Sequence, residues 1–436
     1  MKNLSMKARR FLFISMLFLL IVPGIQNEFQ FIELAPLKGA ISQPEKNSFT
    51  LKEWFSGEYQ TAEEKYINET FGFRSLFVRI DNQIAFSLFK RAKANGVIIG
   101  EKNYLFEENY IKAYNGTDFI GTDSILLRMQ KLQFISDTLA KLNKNIIIVF
   151  AAGKGSYYPE YFPKKLRMKP GKTNYEYYTQ SAKELGIKYI DFNKYFVDNK
   201  HKSKYPLYPQ YGIHWSNYGM CVAADSIIRY IEKIRNIDLP NLYWTQVDLA
   251  EAKESDYDIA DGLNIKFKLK SYKMGYPRIQ FESESGKTKP SVLVISDSFY
   301  WGMYGFGITK AFLNSHFWYY NKQIYPESFE KPVETSQISL KDEIARHDVI
   351  LIMATEATLP KLGWGFIETL SDYFRDINPT SEYDAEFQQK VNNLRSYIKT
   401  DKNWMEKITE KAANRKISID SMVTLDAIYQ IQLEKK

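Results

Sequence analysis

Apolar positions fall along this chain in three textures. Residues 11–25 are almost continuously apolar, broken by Ser15, Pro23 and Gly24, and Lys2, Lys7, Arg9 and Arg10 precede them. A basic segment followed by an apolar one is the layout of an export signal or membrane anchor, with the charged end left in the cytoplasm. No small-x-small cleavage signal follows at residues 24–29. Residues 11–27 are therefore read as an uncleaved inner-membrane anchor behind a cytoplasmic segment at 1–10, in preference to a cleaved signal that would release a secreted form. Everything beyond is expected to lie in the periplasm or outside the cell.

The second texture is helical. After a linker at 28–50 containing Pro36 and Pro44, residues 51–70 and 74–93 carry aliphatic and aromatic side chains at helical spacing, separated by Phe71, Gly72 and Phe73. The third texture alternates. Short apolar runs at 97–99, 146–150, 189–190, 292–295 and 349–353 are too short for helices, and helical patterns at 123–142, 175–185, 217–234 and 340–346 lie between them. Strands buried on both sides and joined by helices imply a parallel sheet covered on both faces. In such sheets ligands bind beyond the carboxyl ends of the strands, which is where chemistry should be sought. Residues 238–290 interrupt the alternation, and the period-2 positions Ile265, Phe267, Leu269, Ile279 and Phe281 suggest an inserted β excursion. The organisation expected is an α/β domain at 51–380 and a charge-rich helical extension at 381–436.

Composition narrows the function classes. With 436 residues, 44% hydrophobic and 15% aromatic, the chain has too much apolar surface to stay unfolded. The net charge of +8 is spread along the chain, and no basic run with interleaved aromatics argues for nucleic acid. The single cysteine, Cys221, excludes an internal disulfide and a thiolate metal centre. His201, His214, His316 and His347 show no ligand spacing, so neither a metal nor another cofactor is expected. Two phosphate-loop look-alikes, Gly171-Lys172-Thr173 and Gly286-Lys287-Thr288, fail because Leu166 and Phe281 stand where the earlier glycine is required.

Two segments carry candidate chemistry. The run Val292-Leu293-Val294-Ile295 leads into Ser296-Asp297-Ser298-Phe299, which puts a serine hydroxyl in the turn after a buried strand, where a following helix can help hold an oxyanion. Taken alone, such a turn is more often an ordinary helix cap. In Tyr211-Gly212-Ile213-His214-Trp215-Ser216-Asn217, the histidine directly precedes a helix cap, and a lone histidine there is more often structural. Lys154 and Glu356 each follow an apolar run, Asn321 is a candidate oxyanion donor, and Asp297 is read as a cap. Trp215, Tyr300 and Trp301 are candidates for stacking on sugar rings, with the core as the bland alternative.

Together the segments resemble the alginate O-acetyltransferase group, AlgX/AlgJ-like and DHHW-like, of the SGNH hydrolase superfamily. Asn68 to Arg74, Val97 to Phe106, Ile148 to Lys154 and Tyr158-Pro159-Glu160 resemble further family segments in the same order, and the likeness covers about residues 51–370. It implies a flavodoxin-like parallel sheet with helices on both faces. It also implies a serine esterase-type enzyme that attaches or removes acetyl groups on a secreted or cell-wall polysaccharide, beside a membrane-bound O-acyltransferase. Ser298 matches the family nucleophile and His214 its general base. The family carries an aspartate two residues before the histidine, and here that position is Gly212. A backbone carbonyl, Asp191 or Glu356 would then have to orient the imidazole. The competing expectation is a non-catalytic polysaccharide-binding or scaffold subunit of an acetylation or export complex.

Overall fold

β-Branched and aliphatic runs form the centre of the molecule because each can bury side chains on both faces of a sheet. The computed structural model describes residues 5–39, 45–377, 382–415 and 419–433. Residues 1–4 of the basic segment, 40–44 of the linker, and 378–381, 416–418 and 434–436 of the C-terminal extension lie outside the described residues.

The strands in chain order are β1 Val97–Ile99, β2 Leu105–Glu107, β3 Asn145–Ala151, β4 Tyr189–Asp191, β5 Leu242–Glu251, β6 Lys273–Phe281, β7 Val292–Ser296, β8 Ser315–Tyr319, β9 Gln323–Tyr325 and β10 Val349–Thr355. Six of them form one sheet in the order β4-β3-β10-β7-β8-β9, parallel except for the antiparallel edge strand β9. Alternation sends Ile147, Val149, Val294 and Leu351 to one face and Ile146, Ile148, Ile295 and Ile352 to the other. The first face packs under helix Asn217–Arg235, and the second under Thr122–Lys141, Asn174–Glu184 and Phe366–Ile377. Each fully buried Ile, Leu or Val contributes about 1.5–3 kcal/mol.

Two expectations need correction, and one strand was not foreseen. Residues 97–99 do not enter the central sheet: β1 pairs antiparallel with β2 in a separate two-stranded hairpin. The mixed polar and aromatic sequence of β8 hides a strand, which the sheet reveals by pairing Val292–Ser296 with Ser315–Tyr319 in parallel. The helical pattern at 51–70 is two helices, Leu51–Ser56 and Glu58–Thr70, because Gly57 turns left-handed at φ 84° and ends the first.

The β excursion forms as the antiparallel pair β5–β6, with a bulge between Trp244 and Val247; of the period-2 positions, Ile279 and Phe281 lie in β6, but Ile265, Phe267 and Leu269 lie in the connection and in no strand. Its connection carries the short helix Asp258–Gly262 back toward the sheet. The apolar N-terminal helix Met6–Phe29 is long enough to cross a membrane, and its end rests on the Phe71–Phe73 turn, where a Cβ on Gly72 would lie 2.2 Å from the Pro23 carbonyl. Helices Glu382–Thr400, Lys402–Arg415 and Ile419–Leu433 share a small core of their own that includes Ile398, Ile408 and Val423.

Candidate active site

All five parallel strands end on the same side, and most of the site is assembled there from the residues that follow them. Strand β7 stops at Ser296, Asp297 turns the chain, and Ser298 (φ −64°, ψ −13°) opens helix Phe299–Phe306. Asp297 is fully buried and accepts hydrogen bonds from Phe299 N (3.1 Å), Thr355 N (3.1 Å), Thr355 Oγ1 (3.2 Å) and Thr358 Oγ1 (2.8 Å). It fastens the serine turn to the end of β10, and its hydrogen bonds go to Phe299, Thr355 and Thr358, in keeping with its reading as a cap.

His214 reaches the serine from a loop anchored at its far end. Ser216 donates its backbone N–H to Leu207 O and caps helix Asn217–Arg235 through Gly219 N. Nε2 of His214 lies 3.0 Å from Ser298 Oγ, and Nδ1 lies 2.6 Å from Asp258 Oδ2. A carboxylate only accepts, so Nδ1 carries the hydrogen and the Nε2 lone pair faces the serine hydroxyl. Oδ1 of Asp258 accepts from Ile213 N (2.8 Å) and Ile259 N (2.6 Å), which fixes the acid against the loop it serves.

The orienting group is therefore Asp258, 44 residues downstream of His214 and inside the β excursion. The absence of an acid at Gly212 has a spatial cause. A Cβ there would lie 2.2 Å from Ser255 O and 2.9 Å from both the carbonyl carbon of Asp256 and Pro209 Cγ. The backbone that delivers Asp258 occupies the volume a side chain at 212 would need. Asp256, from the same segment, accepts from Asn217 N at 3.0 Å and so holds the loop on its other side. Burial pushes the Asp256 carboxyl up to about 7.

Electrostatics at the imidazole work in opposite senses. Burial disfavours the charged ring, but the hydrogen bond and charge of Asp258, with Asp297 and Glu107 beyond, outweigh it and raise the His214 pKa above its ordinary 6.5. Lys154 is fully buried and donates to the carbonyls of Gln210 and Gly212. It pins the backbone leading into His214 from beneath, and burial brings its ammonium down to about 7 against the pull of Asp258, Glu107 and Asp256.

The other residues singled out in the sequence lie elsewhere. Asp191 does not orient His214: it accepts from Tyr175 Oη and from Lys194 N at the start of helix Phe192–Asn199. Glu356 is buried against the β3 turn, accepting from Ser156 N at 3.0 Å and from Ser156 Oγ, and burial pushes it up to about 7. Gly153 leaves it room, since a Cβ there would meet the Glu356 carboxyl at 2.1 Å. Asn321 spends Nδ2 on Trp364 O (3.1 Å) and is absent from the residues lining the pocket around Ser298. Trp215 and Tyr300 are 2% and 1% exposed, so neither face is open to a sugar; both are core. Trp301 is half-buried among Phe317, Tyr319 and Tyr325.

A pocket of about 400 Å³ opens over Ser298, His214 and Asp258, with Glu107, Asn109, Tyr110 and Tyr320 among its walls. A second cavity of about 490 Å³, bearing Lys112, Lys361 and Trp364, shares Asn109, Tyr320 and Thr358 with it. The Tyr320 hydroxyl stands close enough to Ser298 to feel it; burial and then the charge of Asp297 hold its proton on. Asp258, Glu107 and Tyr320 escape a sequence reading because none follows a recognisable strand motif.

Among the described residues, the group whose ligand atoms lie close enough for a metal, within 4.8 Å, is His316, Glu343 and His347. The fold brings these together despite their unpromising spacing. Glu343 already meets His316 Nδ1 (2.7 Å) and Arg346 (3.0 Å), and His316 Nε2 meets Glu327 (3.1 Å), which makes these four an ion-pair network, while His347 Nδ1 lies 2.8 Å from the Glu343 carbonyl and its buried Nε2 has no hydrogen-bond partner among the described residues.

Residues 97–260 match the family model described as an SGNH hydrolase-like domain, acetyltransferase AlgX. That stretch contains His214 and Asp258 and ends before Ser298. The probable alginate O-acetylase AlgJ of Azotobacter vinelandii is 23% identical over 192 residues, 44% of this chain. The chain spans about half the length (48%) of that curated relative. Among solved structures, the O-acetyltransferase domain of Pseudomonas putida AlgJ aligns with a TM-score of 0.43 at 14% identity, over 64% of this chain and 99% of the other. Pseudomonas aeruginosa AlgX aligns with a TM-score of 0.41 at 13% identity, over 62% of this chain and 67% of the other. Over residues 97–260, then, this chain is similar to the SGNH hydrolase-like domain of the acetyltransferase AlgX.

Proposed function

We propose that the chain is an extracytoplasmic O-acetyltransferase that places acetyl groups on hydroxyls of a secreted or cell-wall polysaccharide. The observation that carries this reading is the hydrogen-bonded series Ser298 Oγ, His214 Nε2, His214 Nδ1 and Asp258 Oδ2, open to a pocket of about 400 Å³. The match to an acetyltransferase family and the likeness to a probable alginate O-acetylase favour acetyl as the group transferred.

In the first half-reaction Ser298 Oγ attacks the carbonyl carbon of the acetyl donor while His214 Nε2 takes the hydroxyl proton. Asp258 stabilises the imidazolium that forms. Helix Phe299–Phe306 presents its N-terminus, the positive end of its dipole, to the developing oxyanion. The donor's leaving group departs with the proton from His214, leaving acetyl-Ser298. In the second half a sugar hydroxyl gives its proton to Nε2 and attacks the acetyl carbon; the acetyl ester forms on the sugar and His214 returns the proton to Ser298. Water in place of the sugar makes the same site an esterase.

The length and apolar character of helix Met6–Phe29 support the reading of an inner-membrane anchor with the main domain on the periplasmic side, and the donor in this reading is a membrane-bound O-acyltransferase. The scaffold alternative drew its support from Gly212, and the acid missing there is carried by Asp258. The test is transfer from an activated acetyl ester to polysaccharide by the full chain in detergent, followed by proton NMR of the polymer. Ser298→Ala is expected to abolish new O-acetyl signals; transfer that persists in Ser298→Ala contradicts the reading.

A further inference from the structure

One carboxylate in the pocket acts on His214 only through its charge, outside the hydrogen-bonded series of Ser298, His214 and Asp258. Glu107 ends β2, immediately before helix Glu108–Asn115, and lines the same pocket as Ser298, His214, Asp258 and Tyr320. Its neighbour Glu108 is paired with Lys112 at 3.1 Å, but among the described residues no Lys or Arg closes an ion pair with Glu107. Burial pushes its carboxyl up, Asp258 adds to this, and His214, Asn109 and Lys154 pull the other way. Lys154 cannot act as a counter-ion to a ligand, because it is fully buried behind the loop and both polar contacts recorded for its ammonium are to backbone carbonyls. The wall beside the nucleophile is thus acidic, whereas the exposed cations Lys112 and Lys361 line the adjoining cavity.

A partly desolvated carboxylate without a cation is costly unless hydrogen-bond donors meet it; the Asn109 side chain is one, and the two carboxylate oxygens can accept further bonds from hydroxyls. A sugar offers such hydroxyls on the carbons next to the one being acetylated. A uronic acid unit in the same place would set a third carboxylate against Glu107 and Asp258.

We propose that Glu107 is an acceptor-binding residue that takes a hydrogen bond from a hydroxyl of a neutral sugar unit at the subsite beside Ser298 and turns away a uronate unit there. The proposal rests on the acetyl-transfer reading and adds the acceptor class to it. No bond is made or broken at Glu107; it positions the sugar while His214 takes the reacting hydroxyl's proton.

The test uses the full chain in detergent with 4-nitrophenyl acetate as donor, and a neutral manno-oligosaccharide or an oligomannuronate of equal length as acceptor. The wild type is expected to transfer to the neutral acceptor at least about tenfold more efficiently in kcat/KM, the scale of one desolvated like-charge contact. Glu107→Gln is expected to narrow that ratio to within about threefold, chiefly by raising KM for the neutral sugar and lowering it for the uronate. A wild type that prefers the uronate, or a ratio unmoved in Glu107→Gln, overturns the assignment. The Ser298-dependent nitrophenol burst is recorded separately. A burst with transfer to neither sugar overturns the neutral-acceptor assignment and leaves the acetyl-enzyme intact. Loss of the burst instead overturns the underlying transfer reading. Acceptor binding to Ser298→Ala by saturation-transfer NMR then decides on Glu107 without any chemistry: binding of the neutral sugar must weaken in the Ser298→Ala/Glu107→Gln double variant, and unchanged binding overturns the proposal.

Discussion

Gly212 and Asp258 are two parts of one arrangement: the space kept empty by the absent Cβ at 212 is filled by the Ser255–Asp256 backbone, and that backbone sets Asp258 Oδ2 2.6 Å from His214 Nδ1. An acid two residues before the histidine and an acid brought in from the β excursion are therefore mutually exclusive here. The excursion is part of the site itself.

Removing the acid tests the arrangement from one side. Asp258→Asn keeps the shape but cannot hold the same imidazole tautomer, and kcat for ester turnover is expected to fall about a thousand- to ten-thousandfold. Asp191→Asn is the control. Its carboxylate caps helix Phe192–Asn199, so it is expected to cost about 0.5–1 kcal/mol of stability and leave kcat unchanged. Stopped-flow kinetics and denaturant unfolding separate the two.

Restoring an acid at the position two before the histidine tests it from the other side. Gly212→Asp puts a Cβ 2.2 Å from Ser255 O, a contact the backbone must relieve by moving. The expected outcome is a loss of about 1–3 kcal/mol in stability and a fall in kcat, because the displaced segment carries Asp258 with it. A Gly212→Asp chain that unfolds and turns over like the wild type contradicts the account.

The pH dependence follows from the raised pKa of His214. The ring must be neutral to accept the Ser298 proton, so turnover is expected to rise with pH through a value above 6.5. Stability moves the opposite way. The charged pair with Asp258 contributes fully below pH 6.5, and that contribution is lost as pH rises through the folded value. Lys154, Asp256 and Glu356 all titrate near about 7, so the bulk profile is a composite. Following the His214 ring signals by NMR isolates the group, and a midpoint below 6.5 contradicts the prediction.

Aromatic residues near the site divide by burial. Trp215 packs on Phe192, Phe196 and Phe299 and is almost fully enclosed. Trp215→Ala is expected to cost about 3–5 kcal/mol in thermal or denaturant unfolding. If instead it raised acceptor KM while leaving stability intact, the residue would face substrate after all.

Legibility followed locality. The serine turn, the histidine before its helix cap and the four principal parallel strands could be read because each is written in a handful of consecutive residues. Asp258 could not, because its meaning comes from a fold-back across 44 residues that no local period records. The stacking role imagined for Trp215 and Tyr300 failed for the reason that makes aromatics good core residues: beside a β7 turn packed under helix Asn217–Arg235, a large ring gains more from burial than from waiting for a ligand. Strand β8 went unread because Ser315 and His316 break the apolar run.

The most direct measurement is of the covalent intermediate. The full chain is mixed with an activated acetyl ester, quenched within one turnover and digested, and the Ser298 peptide is weighed by mass spectrometry. Acetyl on Ser298 in the wild type, with labelling slowed at least about a thousandfold in both His214→Ala and Asp258→Ala, is the predicted result. An unmodified Ser298, or labelling at the same rate in the Asp258 variant, would contradict the central claim that Asp258, His214 and Ser298 work as one unit.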